Sequence, residues 1–206
     1  MSKIQQSRFK RSRSLGVSLH GEAKDAYNFK NYKPGQHGQD VHRKISTYSI
    51  QLAEKQKLRF VYDIREEQFR KIFIKSSRQR GDTSNNLIAA LEYRLDAVVY
   101  RANFAATFGK VKQMISHKHV MVNGKTVNIR SYVLRDGDIV SISPKAKDLD
   151  YVKASLASSE RKIPDYLQTV SPTEIKVVRR PAFSEVPYAF VVDPQLVVEW
   201  YSNKIG

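Results

Sequence analysis

Residues 120–127 read Val-Met-Val-Asn-Gly-Lys-Thr-Val. Two runs of strand-favouring residues flank an Asn-Gly pair, which tolerates the positive φ of a two-residue hairpin turn. An antiparallel hairpin is therefore expected here. Upstream, Leu95, Val98, Val99 and Ala102 recur at i, i+3, i+4 and i+7, the spacing of one apolar helix face. Asn103–Thr107 reads as a connector, and a second helix follows with Val111, Met114 and Ile115 on its apolar side. Downstream, Tyr132-Val-Leu134 and Ile139-Val-Ser-Ile142 read as two more strands around Arg135-Asp-Gly-Asp138. Residues 94–142 thus predict a compact helix–helix–β module.

The flanking segments read differently. Residues 1–44 show no sustained apolar period and carry several Gly residues, so they predict an irregular arm that orders on a partner. Phe9, Tyr27, Phe29 and Tyr32 lie among its basic residues, where aromatic faces either stack on bases or pack on the domain. Residues 47–62 predict a helix capped by Ser46 or Thr47. A second helix is expected from Asp63, with Phe69, Ile72, Phe73 and Ser76 on one face. Arg80-Gly-Asp-Thr-Ser84 breaks it, and Leu87, Ile88, Leu91 and Leu95 mark another buried stripe. Residues 143–180 are mixed and punctuated by proline, with a short helix expected at 153–161. Leu196–Tyr201 predicts an apolar helix with Trp200 as an anchor. The expected class is α+β. Its expected organisation is a basic arm at 1–45, a mainly helical domain at 46–93, the module at 94–160 and an extension at 161–206. A helix at 194–203 is expected to pack back on the helical domain.

Charge selects the partner. The 36 Lys+Arg exceed the 20 Asp+Glu and leave a net +16, a balance that calls for a polyanion. The bias lies in the first two-thirds of the chain, since residues 1–44 hold 10 basic against 3 acidic side chains and residues 144–206 hold 9 against 8. The candidate RNA contacts are Arg8, Lys10, Arg11 and Arg13 in the arm, with Arg43 and Lys44 at its end. Lys55, Lys57 and Arg59 group on the first long helix. Lys71, Lys75 and Arg78 form a stripe opposite the apolar face of the next, a pattern that suits either a solvated face or phosphate contact. Lys110, Lys112, Gln113, His117 and Lys118 belong to the module's second helix, and Lys125 to its hairpin.

Other chemistries are constrained. The chain has no cysteine, which excludes disulfides, thiol catalysis and cysteine-ligated zinc. The spacing of His20, His37 and His42 is no zinc signature, so neither metal nor cofactor is expected. No apolar run reaches the ~18 residues of a membrane span, and the basic N-terminus lacks the apolar core of a secretory signal. A cytoplasmic protein is expected. As an enzyme the chain would need a catalytic domain, yet the residues before the module read as basic arm and helix. Asp96 beside Arg94 suits an ion pair, and Asp136 and Asp138 flank Gly137 as turn residues do.

Particular stretches carry a resemblance. Pro34-Gly-Gln-His-Gly38, Gln51-Leu-Ala-Glu-Lys-Gln-Lys57, Arg94-Leu-Asp-Ala-Val-Val-Tyr-Arg101, Ser116-His-Lys118, Val122-Asn-Gly124, Ser131-Tyr132 and Val197-Val-Glu-Trp-Tyr201 resemble the bacterial small-subunit ribosomal protein S-four family, in family order. That resemblance implies a primary binder of small-subunit (16S) ribosomal RNA that nucleates assembly of its 5′ domain. It also implies a place at the mRNA entry channel beside neighbouring small-subunit proteins, with mRNA contact and a part in decoding accuracy. Some family members repress their own operon. Two departures stand out. Many members carry zinc-binding cysteines in the arm, and this chain has none. Where the family usually has a basic residue this chain has Phe108, so the phosphate contact expected there passes to Lys110.

Overall fold

A computed structural model describes residues 7–39, 46–157 and 161–205. The chain divides into two compact units, residues 1–73 with 188–206, and residues 74–187. The architecture is α+β, as expected. Among the described residues no helix is long and apolar enough to cross a membrane.

The first unit is helical. Helix α1 (Arg8–Leu15) is capped by Ser7, whose hydroxyl accepts from the Lys10 amide. Helix α2 (Ala26–Phe29) is capped by Asp25. Asp25 is buried, and its carboxylate also accepts from Ser12 Oγ at 2.7 Å and Ser18 Oγ at 3.2 Å. One capped carboxylate thus ties α1 to α2, so this part of the arm has internal structure where none was expected. The tie is polar, which is why apolar periodicity does not reveal it. Helix α3 (Thr47–Val61) starts at the Ser46 cap. Helix α4 (Glu66–Ser77) starts three residues later than expected, because Asp63 adopts φ 46° in the turn that ends α3. Its residues up to Phe73 belong to the first unit.

Helix α9 (Pro194–Ile205) closes this unit. Gln51 Nε2 donates to Glu199 Oε2 at 2.9 Å, and the Tyr201 ring stacks on Phe69 and Phe73 with centroids 5.9 and 4.6 Å away. Trp200 is buried, the anchoring position expected of it. Leu58, Tyr62, Phe69, Val197 and Tyr201 form the centre of this core.

The second unit joins helices to an antiparallel sheet. Helix α5 (Thr83–Glu92) is capped by Asp82, whose carboxylate accepts from the Ser84 and Asn85 amides. Helix α6 (Leu95–Arg101) and helix α7 (Phe108–Ser116) follow, with Thr107 capping α7. Strands β1 (Val120–Val122) and β2 (Lys125–Thr126) form the expected hairpin. Asn123 and Gly124 take φ 49° and 77°, as a two-residue hairpin turn requires. Strand β3 (Ile139–Ile142) pairs with β1. The expected strand at 132–134 is reduced to one bridge, Arg94 to Val133. The reason lies at the start of α6, which has no side-chain cap. The amides of Leu95 and Asp96 donate instead to the carbonyls of Tyr132 and Arg130, at 2.8 and 3.2 Å. That segment therefore caps a helix rather than extending a sheet.

Helix α8 (Asp150–Ala157) begins before the span expected for it. Beyond it, strands β4 (Leu167–Ser171) and β5 (Glu174–Val177) complete the sheet in the order β2-β1-β3-β5-β4. The sheet thus continues past residue 160. A buried cluster ties it to the helices. Arg101 Nη2 donates to Glu92 Oε1 at 2.9 Å, and Tyr166 OH donates to Glu92 Oε2 at 2.7 Å.

Candidate nucleic-acid interface

Helix α7 supplies the clearest surface. Its buried side holds Val111, Met114 and Ile115, each with no accessible area. The same 3.6-residue period turns Lys110, Lys112, Gln113 and Ser116 to solvent. The helix ends with His117 exposed and Lys118 in the left-handed region at φ 62°, with the Lys118 amide donating to the Ile115 carbonyl at 3.0 Å. A residue with a Cβ is uncommon there, where glycine is the usual terminator. The turn brings His117 beside His119, ring centroids 5.8 Å apart. Lys110 Nζ lies 5.2 Å from the Tyr151 ring of α8. Thus Lys110, Lys112, Gln113, His117 and Lys118 are all exposed along α7 and just after it. Lys125 is also exposed, on the β1–β2 hairpin.

Phe108, at the first position of α7, faces inward. Its ring stacks on Tyr100 at 4.3 Å with planes 25° apart, and the Arg161 guanidinium lies 4.1 Å from the Tyr100 ring. An aromatic residue there serves packing. Lys110, two residues on, is exposed, and among the described residues no carboxylate contacts it.

Of the contacts expected on α3, the structure corrects Lys55 and shows Lys57 and Arg59 already paired. Lys55 is interior, only 3% exposed, with Nζ 2.9 Å from Glu66 Oε2 and 4.0 Å from the Trp200 ring. Burial lowers its pKa, and the Glu66 carboxylate beside it opposes that shift. Lys57 is ion-paired with Glu54 on the same helix. Arg59 Nε donates to Gln56 Oε1 at 3.0 Å and lies 3.7 Å from Glu66 Oε2. Its pKa is lowered by burial, again opposed by Glu66. Lys55 thus belongs to the helical core, while Lys57 and Arg59 are half-buried and paired, which their grouping on one helix does not disclose.

Two arm arginines are engaged in the same way. The Arg11 guanidinium lies 4.6 Å from the Phe60 ring and 3.8 Å from Asp63. Arg13 donates to the carbonyls of Tyr32 and Lys33 at 3.1 and 3.2 Å. Lys10 is exposed, and so are Lys71, Lys75 and Arg78 on α4. The Arg8 side chain, Arg43 and Lys44 lie outside the described residues, as does His42.

Sequence reasoning missed part of the basic surface. Lys145 and Lys147 are exposed in and after the 3₁₀ turn Pro144–Ala146. The Ser143 amide donates to the His119 carbonyl at 2.8 Å, which sets that turn beside the end of α7. The signal was the pair of lysines flanking Ala146, hidden in a proline-punctuated stretch.

The acidic residues that an enzyme would need are structural. Arg94 grips Asp96 with two hydrogen bonds of 2.9 and 2.7 Å. Burial raises the Asp96 pKa, and Arg94 opposes that rise. Asp136 accepts from Tyr93 OH at 2.6 Å, and Asp138 accepts from Asn123 Nδ2 at 2.9 Å. Among the described residues no group of His, Asp and Glu is placed to hold a metal ion.

Comparison with known proteins agrees with this anatomy. Residues 3–92 match the ribosomal protein S4/S9 N-terminal domain, and residues 94–140 match the S4 domain. The chain is 48% identical over 206 residues to the small ribosomal subunit protein uS4 of Rhodospirillum centenum, covering 98% of this chain and 100% of that protein. It is 43% identical over 199 residues to uS4 of Ehrlichia canis, covering 96% of this chain and 98% of that one.

Proposed function

This chain belongs to the uS4 family of small ribosomal subunit proteins, and on that premise we propose that it binds the 16S ribosomal RNA as a structural constituent of the small subunit. It is a ribosomal protein and not an enzyme. Its place of work is the cytoplasmic ribosome. The observation that carries the RNA-binding reading is the exposed basic side of α7, opposite a fully buried apolar side, within the residues that match the S4 domain.

The mechanism is electrostatic docking with shape recognition. Lys110, Lys112, Lys118 and Lys125 neutralise phosphates and release counterions, with Lys10, Lys71, Lys75, Arg78, Lys145 and Lys147 as further cations of the same kind. Arg8, Arg43 and Lys44 extend this set in the arm. Gln113 and His117 add hydrogen-bonding groups among the lysines. Folded RNA hides its base edges in a deep groove, so specificity comes from junction shape and unpaired bases. Early binding to the 5′ domain would nucleate subunit assembly. A seat at the mRNA entry channel beside neighbouring ribosomal proteins would bring mRNA contact and an influence on decoding accuracy.

Footprinting of the purified chain on naked small-subunit RNA tests this. Protection confined to a 5′-domain junction is expected. Affinity should fall ~10³–10⁵-fold between 50 and 200 mM salt for ~6–10 phosphate contacts. A flat salt response would sink the proposal. Reconstitution with the chain omitted tests the assembly role, and a normal yield of small subunits would count against it.

A further inference from the structure

Phe29 is 77% exposed at the end of α2. Asn28, Lys30 and Lys33 around it are also exposed, and residues 26–39 contain no acidic side chain. The open ring is followed directly by Lys30 and, three residues further on, by Lys33.

The backbone that carries this ring is held on both sides. Before it, Asn28 Nδ2 donates to the carbonyls of Glu22 and Ala23 at 3.1 and 3.3 Å. After it, Arg13 reaches across from α1, donating from Nε to the Tyr32 carbonyl and from Nη2 to the Lys33 carbonyl, with its guanidinium 4.6 Å from the Tyr32 ring. The loop then closes tightly, as the Gly38 amide donates to the Gly35 carbonyl at 3.2 Å. A Cβ at position 38 would fall 1.8 Å from the Lys33 carbonyl oxygen, so only glycine fits. The Arg13 guanidinium is committed to two carbonyls and one ring.

We propose that residues 28–38 form a docking element for unpaired RNA, in which a base stacks on Phe29, Lys30 and Lys33 meet the flanking phosphates, and Arg13 is a positioning residue rather than a phosphate contact. This deepens the RNA-binding reading and rests on it. The lack of an acidic residue between 26 and 39 and the two lysines that follow Phe29 favour a polyanion over a protein partner. The fixed backbone lowers the ordering cost of stacking.

The test is binding of the full chain to naked small-subunit ribosomal RNA over a range of salt, with melting curves for every variant. Phe29→Ala should weaken binding about 5- to 150-fold, the usual worth of one stacked base, without altering the salt slope. Phe29→Tyr should bind within about threefold of the parent, because a phenol ring stacks as a phenyl ring does. Arg13→Lys keeps the charge but cannot span both carbonyls, so it should lose affinity at an unchanged salt slope. Parental affinity for Phe29→Ala would overturn the stacking site, whether or not the Arg13 variants fold. Parental affinity for Arg13→Lys, with Arg13→Ala reducing the salt slope by ~0.9, would make Arg13 a phosphate contact and overturn its positioning role. Parental RNA affinity but poor incorporation of Phe29→Ala into subunits would assign the ring to a protein and overturn the proposal. Failure of the parent chain itself to bind RNA would instead defeat the RNA-binding reading.

Discussion

Lys55 Nζ lies 2.9 Å from Glu66 Oε2, and the pair joins α3 to α4 beneath Trp200. This lysine is therefore unavailable to a phosphate. Lys55→Met keeps the packing on Trp200 and leaves Glu66, whose side chain is 40% accessible, in contact with water. RNA affinity should stay within about twofold and the salt slope should not move. Stability should fall by roughly 1 kcal/mol. A shallower salt slope measured by filter binding would return Lys55 to the interface.

The exposed lysines of the α7 region should behave in the opposite way. Replacing Lys110, Lys112 and Lys118 together by alanine should lower the salt slope by about 2 to 3, since each phosphate contact contributes ~0.7–0.9. The melting transition should move little, because surface changes away from caps and cores stay within about 0.5 kcal/mol each. A collapsed transition with RNA binding retained would mean that the buried and binding faces had been exchanged.

Lys118 separates the two roles at one position. Its φ of 62° strains a residue with a Cβ, and glycine removes that strain while adding chain entropy to the unfolded state. Lys118→Gly should leave stability unchanged or raise it by up to about 1 kcal/mol. RNA affinity should nevertheless fall, with the salt slope reduced by ~0.9. Denaturant melts and binding isotherms on one sample check both, and parental affinity would remove Lys118 from the interface.

Tyr201 ties stability to alkaline pH. Burial and its 2.9 Å hydrogen bond to Glu66 raise the pKa of the phenol. A raised folded-state pKa means that the neutral form is favoured on folding. That stability is fully present below the unfolded value near 10 and is lost as pH rises beyond it. Tyr201→Phe should flatten the fall in stability above about pH 10 relative to the parent. Tyr201→Ala should cost about 3–5 kcal/mol, because it opens a cavity against Phe69 and Phe73. Equal alkaline slopes for Tyr201→Phe and the parent would show that other groups dominate.

What the chain reveals without coordinates follows from how local each signal is. The helices at 95–101 and 108–116 and the hairpin at 120–126 announce themselves through period and turn chemistry within a few residues. Strands β4 and β5 do not. β4 buries little beyond Leu167, and β5 alternates but over only four residues, too short a run to stand out. The segment at 132–134 has strand composition, but the uncapped start of α6 claims its carbonyls. The interface divides along the same line. Exposure of Lys110 and Lys112 follows from α7's own apolar stripe, whereas Lys55 is covered by Trp200, far along the chain. Nothing within one helix shows which of its cations another segment will cover. Phe29 and Tyr32 look alike as aromatics among basic residues, yet the guanidinium of Arg13 covers only Tyr32.

Because α9 completes the core of residues 1–73, the two units cannot mature in the order in which they are written. A chain leaving its own ribosome has all of residues 74–187 available before the segment that Tyr62, Phe69 and Phe73 need as a partner. Domains ordinarily fold from the N-terminus onward during synthesis. Here the downstream unit can close first, while the most basic part of the chain waits unfinished. Competence to engage RNA through a fully packed first unit then becomes a late event in the life of the nascent protein, timed by when α9 emerges.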